Sequence, residues 1–455
     1  MTAATPLRHP DASSPGEMTA RGWWLVGLNI LLPGTPQLVA GNRVLGRVGI
    51  FATLLLWLLG IVALLLMVVS PSSLYTFATQ AGSLTVVQLL LIGYAILWVV
   101  LTLDTLRLVR LVKARANMRG WIAAFSVLVL VGLAGTAAYG SAVAGSARGA
   151  LGDIFADSAP VAPVDGRYNI MLLGGDAGPD REGLRPDSMS IVSIDASTGK
   201  AVTIGLPRNL NPVPFSATSP LRAVYPDGYG YHDKCDVDVC QLNSIYTEVE
   251  LYKSDLYPDA TKQQSDPGIE AMRDALEGAT GLTIQYYVLI DMQGFADLID
   301  ALGGVDITVT EKVPIGGDEN LNGVVEWIQP GQHHMDGYHA QWYARARHGT
   351  SDYDRMARQR QLQDAILKQF SPLNVVTKFQ DIAKAGAQVM KTDIPQSMLG
   401  YFVDLGMKTR AQPVDKLELV PPTIPDPTKP DYTQIRRLVQ QALAPSTATP
   451  APSGH

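Results

Sequence analysis

The sequence predicts a membrane-anchored α/β protein: an extracellular α-β-α sandwich with a mixed central sheet, preceded by about three transmembrane helices. Three observations predict it. Hydrophobic residues make up 47% of the 455, and the excess is local, because residues 51–100 contain no Asp, Glu, Lys or Arg. Strand-like and helix-like runs alternate from Tyr168 onward, the pattern of a sheet covered by helices. Charge also divides the chain: residues 1–150 hold ten Lys and Arg against three Asp and Glu, a net +7, and the remainder holds 26 against 39, a net −13. An acidic second part argues against nucleic acid as a partner.

The elements follow in order. Residues 1–22 are polar and lack the apolar core of a signal peptide, so they read as a cytoplasmic tail. The membrane region covers 23–141. Its first stretch, 23–40, is broken by Pro33, Gly34 and Pro36 and carries Asn29, which predicts a re-entrant or interfacial segment. Apolar runs near 46–69, 86–103 and 121–141 are long enough to span. Basic residues stay in the cytoplasm. Arg43 and Arg47 precede the first span, the loop 70–85 is uncharged, and Arg107, Arg110, Lys113, Arg115 and Arg119 crowd between the second and third. The order is therefore in, out, in, out, with everything beyond the third span outside the cell membrane. An Ala-, Gly-, Ser- and Pro-rich linker is expected over 142–165, a domain over 166–443 and a disordered tail over 444–455.

Within the domain, Tyr168–Leu173, Met189–Ile194 and Ala201–Leu206 read as strands. A helix near 268–278, a strand 285–290, a helix 293–302 and a strand 305–310 come next. Cys235 and Cys240 sit in an acidic loop; an oxidising compartment predicts a small-loop disulfide, with two free thiols as the alternative. His333, His334, Asp336 and His339 lack a fixed ligand spacing and read as structural rather than metal-binding.

Chemistry concentrates at strand ends and in one basic stretch. Tyr343 to Gln361 carries five arginines with Asp352 and Asp354. Read as strand, turn and helix, it puts Arg345 and Arg347 on one strand face and Arg355 and Gln359 on one helix face, a fork suited to phosphate oxygens. Asp176 ends the first strand, Arg185 and Asp187 open the second, and Pro207, Arg208 and Asn209 follow the third. Carboxylates of this kind suit Mg²⁺, and the guanidiniums suit the remaining phosphate charge.

Asn169–Asp176, Arg185-x-Asp187, Pro207-Arg208, Asn243, Gly303-Gly304-Val305, Tyr343-x-Arg345-x-Arg347 and Asp352…Arg355-x-x-Arg358-Gln359 together resemble the LytR-CpsA-Psr cell-wall proteins over roughly residues 165–375. The resemblance implies a phosphotransferase that moves a glycopolymer from a polyprenyl-pyrophosphate carrier to the muramic acid 6-hydroxyl of peptidoglycan. It implies Asp176 and Asp187 as metal and acid/base carboxylates with Mg²⁺ or Mn²⁺. Arg185, Arg208, Arg345, Arg347, Arg355 and Gln359 would then grip the pyrophosphate. A lipid tunnel is implied near Phe295, Leu298, Ile299 and Ile366. Asn209 stands where the family carries Asp, and family members commonly have one span. Arabinogalactan is the favoured polymer, on the Ala- and Pro-rich, disulfide-bearing character of the chain; teichoic acid and capsule are the alternatives. A polyprenyl-pyrophosphate-sugar hydrolase and a non-catalytic wall-polymer binder are the competing readings, and the oligomeric state is unknown.

Overall fold

A computed structural model describes residues 7–176, 184–318, 320–369 and 390–444. They form two compact units, Met1–Gly149 and Ala150–His455. The first unit holds α1 (Pro15–Leu31), α2 (Thr35–Ala40), α3 (Arg43–Val69), α4 (Pro71–Thr79), α5 (Ala81–Val109) and most of α6 (Ala116–Ile154). Among the described residues three helices are long and apolar enough to cross a membrane: Arg43–Val69, Ala81–Lys113 and Ala116–Gly152.

The stretch expected to be re-entrant is a helix, a break and a second short helix. Gly34 sits in the break at φ +100°, and a Cβ there would stand 2.5 Å from the Gly46 carbonyl of α3, so a side chain is excluded twice over. The amides of Asn29 and Gln37 donate to Thr102 Oγ1 (3.2 Å) and the Leu101 carbonyl (2.9 Å) on α5, which ties the broken pair to that helix. Two boundaries move. Helix starts at Pro15, inside the tail expected over 1–22, because Ser14 caps it by accepting from the Glu17 N–H at 3.4 Å. The linker expected over 142–165 begins as the last turns of α6, since an Ala-rich run without proline continues a helix readily.

The second unit contains β1 (Arg167–Asp176), β2 (Arg185–Asp195), β3 (Ala201–Leu206), β4 (Tyr286–Asp291), β5 (Val305–Val309), β6 (Val313–Gly316), β7 (Val324–Ile328), β8 (Gly331–Met335), β9 (Met390–Thr392) and β10 (Asp415–Glu418). Its helices among the described residues are α7 (Leu221–Val224), α8 (Ile245–Tyr252), α9 (Pro267–Thr280), α10 (Met292–Leu302), α11 (Gly337–Arg345), α12 (Asp352–Gln369), α13 (Leu399–Arg410) and α14 (Tyr432–Leu443). Six strands form a mixed sheet in the order β10-β3-β2-β1-β4-β9, with β1/β4 and β10/β3 parallel.

Side-chain alternation splits the sheet between two cores. Met171, Leu173, Ile191 and Ile204 face α8, α9 and α14, whereas Tyr168, Ile170 and Tyr286 face α13. This is the α-β-α sandwich. Two expectations change. Val305–Val309 pairs with β8 outside the main sheet, and a third core beneath it joins Ile299, Val305, Met335, Tyr343 and Leu362. Tyr343–Arg345 ends helix α11 instead of lying on a strand.

Cys235 and Cys240 are joined in a disulfide with Cα atoms 5.7 Å apart. The loop is fastened further by Glu248, wholly buried, which accepts from the Tyr229 hydroxyl at 2.6 Å and the Asp236 N–H at 3.2 Å.

Candidate active site

Because β1 and β4 run parallel and β2 antiparallel to them, the ends of β1 and β4 and the start of β2 leave one edge of the sheet. The ladder between β1 and β2 slips there. Gly174 pairs with Ser188, but Gly175 pairs with Pro186, so Asp187 is the extra residue of a β-bulge. Such a bulge re-aims one side chain without disturbing the sheet below it.

The Asp187 carboxylate is 4% exposed and meets two guanidiniums: Arg208 Nη1 lies 2.8 Å from Oδ1, and Arg347 Nη2 lies 2.5 Å from Oδ2. Arg355, wholly buried on α12, donates to the Asp187 main-chain carbonyl at 3.1 Å. Burial pushes the Asp187 carboxyl up, but Arg347, Arg208 and Arg355 together outweigh it and hold the group below its ordinary range. Arg355 shows the complement: burial brings its guanidinium down to about 10, with Asp352 opposing.

Asp352 completes the cluster, 3.0 Å from Arg355 Nη2 and 3.4 Å from Arg208 Nε. Its link with Arg355 is an i,i+3 helix pair readable from spacing, yet its reach to Arg208 is purely tertiary. Three guanidiniums thus meet two carboxylates.

Neighbouring segments fix these side chains. The Asn243 and Leu242 N–H groups donate to the Arg208 and Leu210 carbonyls at 3.2 and 3.1 Å, holding the chain after β3. Helix α11 starts at Asp336, whose Oδ1 accepts from the His339 N–H at 2.9 Å. A Cβ on Gly337 would lie 2.0 Å from the Ala296 carbonyl, so glycine lets α11 close on α10. Arg358 then reaches back from α12 to the carbonyls of Tyr343 (3.0 Å) and Ala346, satisfying the end of α11 from outside. Arg360 binds Glu418 of β10 and the Met189 carbonyl of β2, at 3.0 and 3.1 Å.

The structure therefore divides the arginine-rich stretch. Arg347 and Arg355 join Asp187, while Arg358 and Arg360 brace helices. Arg345 is separated from Arg347 by the end of α11 and stacks on Trp342, 5.1 Å from the ring centre. The shared strand face expected for Arg345 and Arg347 is absent for that reason. Arg185 opens β2 half-buried and pairs with no carboxylate among the described residues. Gln359 is buried and donates to the Ala344 carbonyl at 3.1 Å. The backbone of Asp176 pairs with Arg185 across the ladder; its side chain lies outside the described residues.

A cavity of about 180 Å³ opens beside the cluster. Asp187, Ser188 and Gln359 line it together with apolar side chains, among them Leu172, Val288, Ile290, Phe295, Leu362 and Ile366. Phe295 and Ile366 were expected there. Leu298 is not among the lining residues, and Ile299 is buried in the third core.

Asp187 offers the hard oxygens that Mg²⁺ prefers. Both already face guanidiniums, so a cation bound at Asp187 would share the carboxylate with Arg208 and Arg347. Among the described residues no three His, Cys, Asp or Glu stand together as ligands. His334 pairs with Asp306 at 2.7 Å and His339 with Asp336 at 2.6 Å.

The profile of the LytR_cpsA_psr family matches residues 156–424. The chain belongs to this family. Relatives include Biofilm regulatory protein A of Streptococcus mutans, 27% identical over 261 residues, 55% of each chain. Regulatory protein MsrR of Staphylococcus aureus is 26% identical over 51% of this chain and 58% of its own. The polyisoprenyl-teichoic acid–peptidoglycan teichoic acid transferase TagU of Bacillus cereus is 24% identical over 51% and 62%. The chain thus spans little more than half the length of these curated relatives. Among solved structures, Bacillus subtilis TagV aligns at TM-score 0.42 and 20% identity, covering 61% of this chain and 97% of that one. TagT bound to LI-WTA aligns at TM-score 0.40 and 18% identity over 63% and 94%. Every element that places Asp187, Arg208, Arg347 and Arg355 falls inside the LytR-CpsA-Psr match.

Proposed function

We propose that this protein is a glycopolymer–peptidoglycan phosphotransferase, which moves a polymer from a polyprenyl-pyrophosphate carrier to the muramic acid 6-hydroxyl and leaves a phosphodiester link. One observation carries the reading: a cluster of three guanidiniums around Asp187 stands at an apolar cavity, so one site offers both a seat for phosphates and a seat for a lipid chain. The transferase name of the TagU relative supports the same reaction class.

In this reaction the 6-hydroxyl oxygen forms a bond to the sugar-linked phosphorus, and the bond from that phosphorus to the bridging oxygen breaks. Polyprenyl phosphate leaves with the electron pair of the broken bond, and the proton of the 6-hydroxyl passes to water or to the departing phosphate. Negative charge grows on the equatorial and leaving oxygens, where Arg208, Arg347 and Arg355 stabilise it. Three guanidiniums keep Asp187 ionised and make it a weak base, which favours orienting those guanidiniums, or holding a cation, over taking the hydroxyl proton. Mg²⁺ or Mn²⁺ held by Asp187 and Asp176 would supply further charge neutralisation at the phosphates.

Spans of this length would anchor the chain, and the positive cluster Arg107–Arg119 supports an outer-face position for the second unit. Arabinogalactan is the polymer we favour, ahead of teichoic acid and capsule. The test incubates the purified protein with a polyprenyl-pyrophosphate oligosaccharide, Mg²⁺ and soluble peptidoglycan fragments, and seeks a sugar-phosphate-muramyl product by mass spectrometry. Its appearance, lost in Arg347→Ala, supports transfer. Release of polyprenyl phosphate without any acceptor would replace transfer by hydrolysis, and tight binding without turnover would replace it by a wall-polymer anchor.

A further inference from the structure

The cluster at Asp187 is already partly neutralised by the chain itself, two carboxylates standing against three guanidiniums. Arg208 and Arg347 are 27% and 37% exposed and turn their inner nitrogens to a carboxylate that is only 4% exposed. Asp352 takes a second nitrogen of Arg208 at 3.4 Å and one of Arg355 at 3.0 Å. A guanidinium presents a fixed fork of five N–H donors, and an N–H aimed at a carboxylate cannot at the same time donate in line to a phosphate oxygen, so the carboxylate and a phosphate compete for part of each fork.

Resting on the phosphotransferase reading, in which this site takes a pyrophosphate, we propose that Asp187 is an internal counter-anion: it competes with the incoming pyrophosphate for Arg208 and Arg347, and the ligand binds by exchanging partners with it. Three features of the geometry fit that role. Each Asp187 oxygen is held by a different arginine, so the carboxylate bridges the pair as a ligand would. Asp187 also stands on a bulge, where the ladder places no partner against it. Asp187 and Gln359 line one cavity, so a ligand entering there meets the carboxylate directly.

Two consequences follow. The free protein is largely in a form whose arginines are occupied, which lowers apparent affinity by the fraction of molecules with open guanidiniums. A ligand must also bring enough charge to displace a buried carboxylate, so a pyrophosphate is preferred to a single phosphate.

Isothermal titration of the full chain in detergent, with EDTA present and inorganic pyrophosphate as probe, tests this. Asp187→Asn is expected to bind about ten-fold tighter than the unaltered protein, and Asp187→Asn combined with Arg347→Ala is expected to lose that gain. Inorganic phosphate should gain as much or more, narrowing the preference. An Asp187→Asn protein that melts normally and binds pyrophosphate no tighter than the unaltered chain overturns the inference. If that variant does not fold, Asp187→Ser takes its place, since it too removes the carboxylate from Arg208 and Arg347; no gain there overturns the inference as well. Failure of every form to bind inorganic or farnesyl pyrophosphate would remove the phosphotransferase reading itself, whereas binding by the unaltered chain without a gain in the variants removes only this step.

Discussion

Arg355 on α12 donates to the main-chain carbonyl of Asp187 at 3.1 Å across 168 residues of sequence. The same nitrogen lies 3.0 Å from Asp352 on its own helix. One buried side chain therefore fixes α12 to the bulge and sets the distance between the two carboxylates.

Replacing Arg355 by Met keeps the volume and removes both bonds. Leaving the Asp187 carbonyl and Asp352 without their partner should cost about 1–3 kcal/mol of stability, read as a lower midpoint in chemical unfolding. Arg355→Lys keeps the charge but not the fork, and an intermediate midpoint is expected.

Arg208 and Arg347 are more exposed, so their loss should reach chemistry before stability. Each change to Ala is expected to lower transfer by about 10²-fold or more, with circular dichroism unchanged. Arg345→Ala is the contrast: stacked on Trp342 and apart from both carboxylates, Arg345 should matter less than Arg347 in kcat/KM for the same carrier.

The depressed Asp187 carboxyl gives a sign for pH. Folded Asp187 holds its proton less tightly than the ordinary value of 3.8, so the stability it contributes is complete above that value and is lost as pH falls through the lower folded one. Acid titration of stability should be flatter below pH 3.8 in Asp187→Asn than in the unaltered protein. An equal slope in both proteins would remove the ion pairs from the account.

The apolar cavity predicts selectivity for chain length. Ile366→Trp puts a larger ring into its lining and should raise KM for a long polyprenyl pyrophosphate, while inorganic pyrophosphate binding stays unchanged. A matching loss for both ligands would show that the ring disturbs the cluster instead of the lipid seat.

Much of the site was legible because its residues cluster in short runs. Asp187 and Arg208 stand out by residue type near strand ends, Arg347 and Arg355 by the density of arginine in one stretch, and the structure draws them together. The alternation in Tyr343-Ala-Arg-Ala-Arg misleads, since period two also fits the last turn of a helix and the residue beyond it. Asp336-Gly337 was the better signal, an N-cap followed by the residue that lets α11 approach Ala296. The bracing roles of Arg358 and Arg360 could not be read, because their partners are main-chain carbonyls and a glutamate on strands and helices far away in sequence. Edge strands β9 and β10 escaped for a similar reason: segments of three and four residues carry too little periodicity to distinguish them from loop.

The bulge at Asp187 has a consequence for tolerance to change. Below it, Met171, Leu173, Met189 and Ile191 face one core and Tyr168, Ile170, Leu172 and Ile194 the other. Above it the β2 count is reset by one residue, so Arg185 and Pro186 obey an alternation of their own. The packed body of the sheet and its charged rim are thereby written in separate reading frames, and the rim can accept new side chains without any core residue having to turn over.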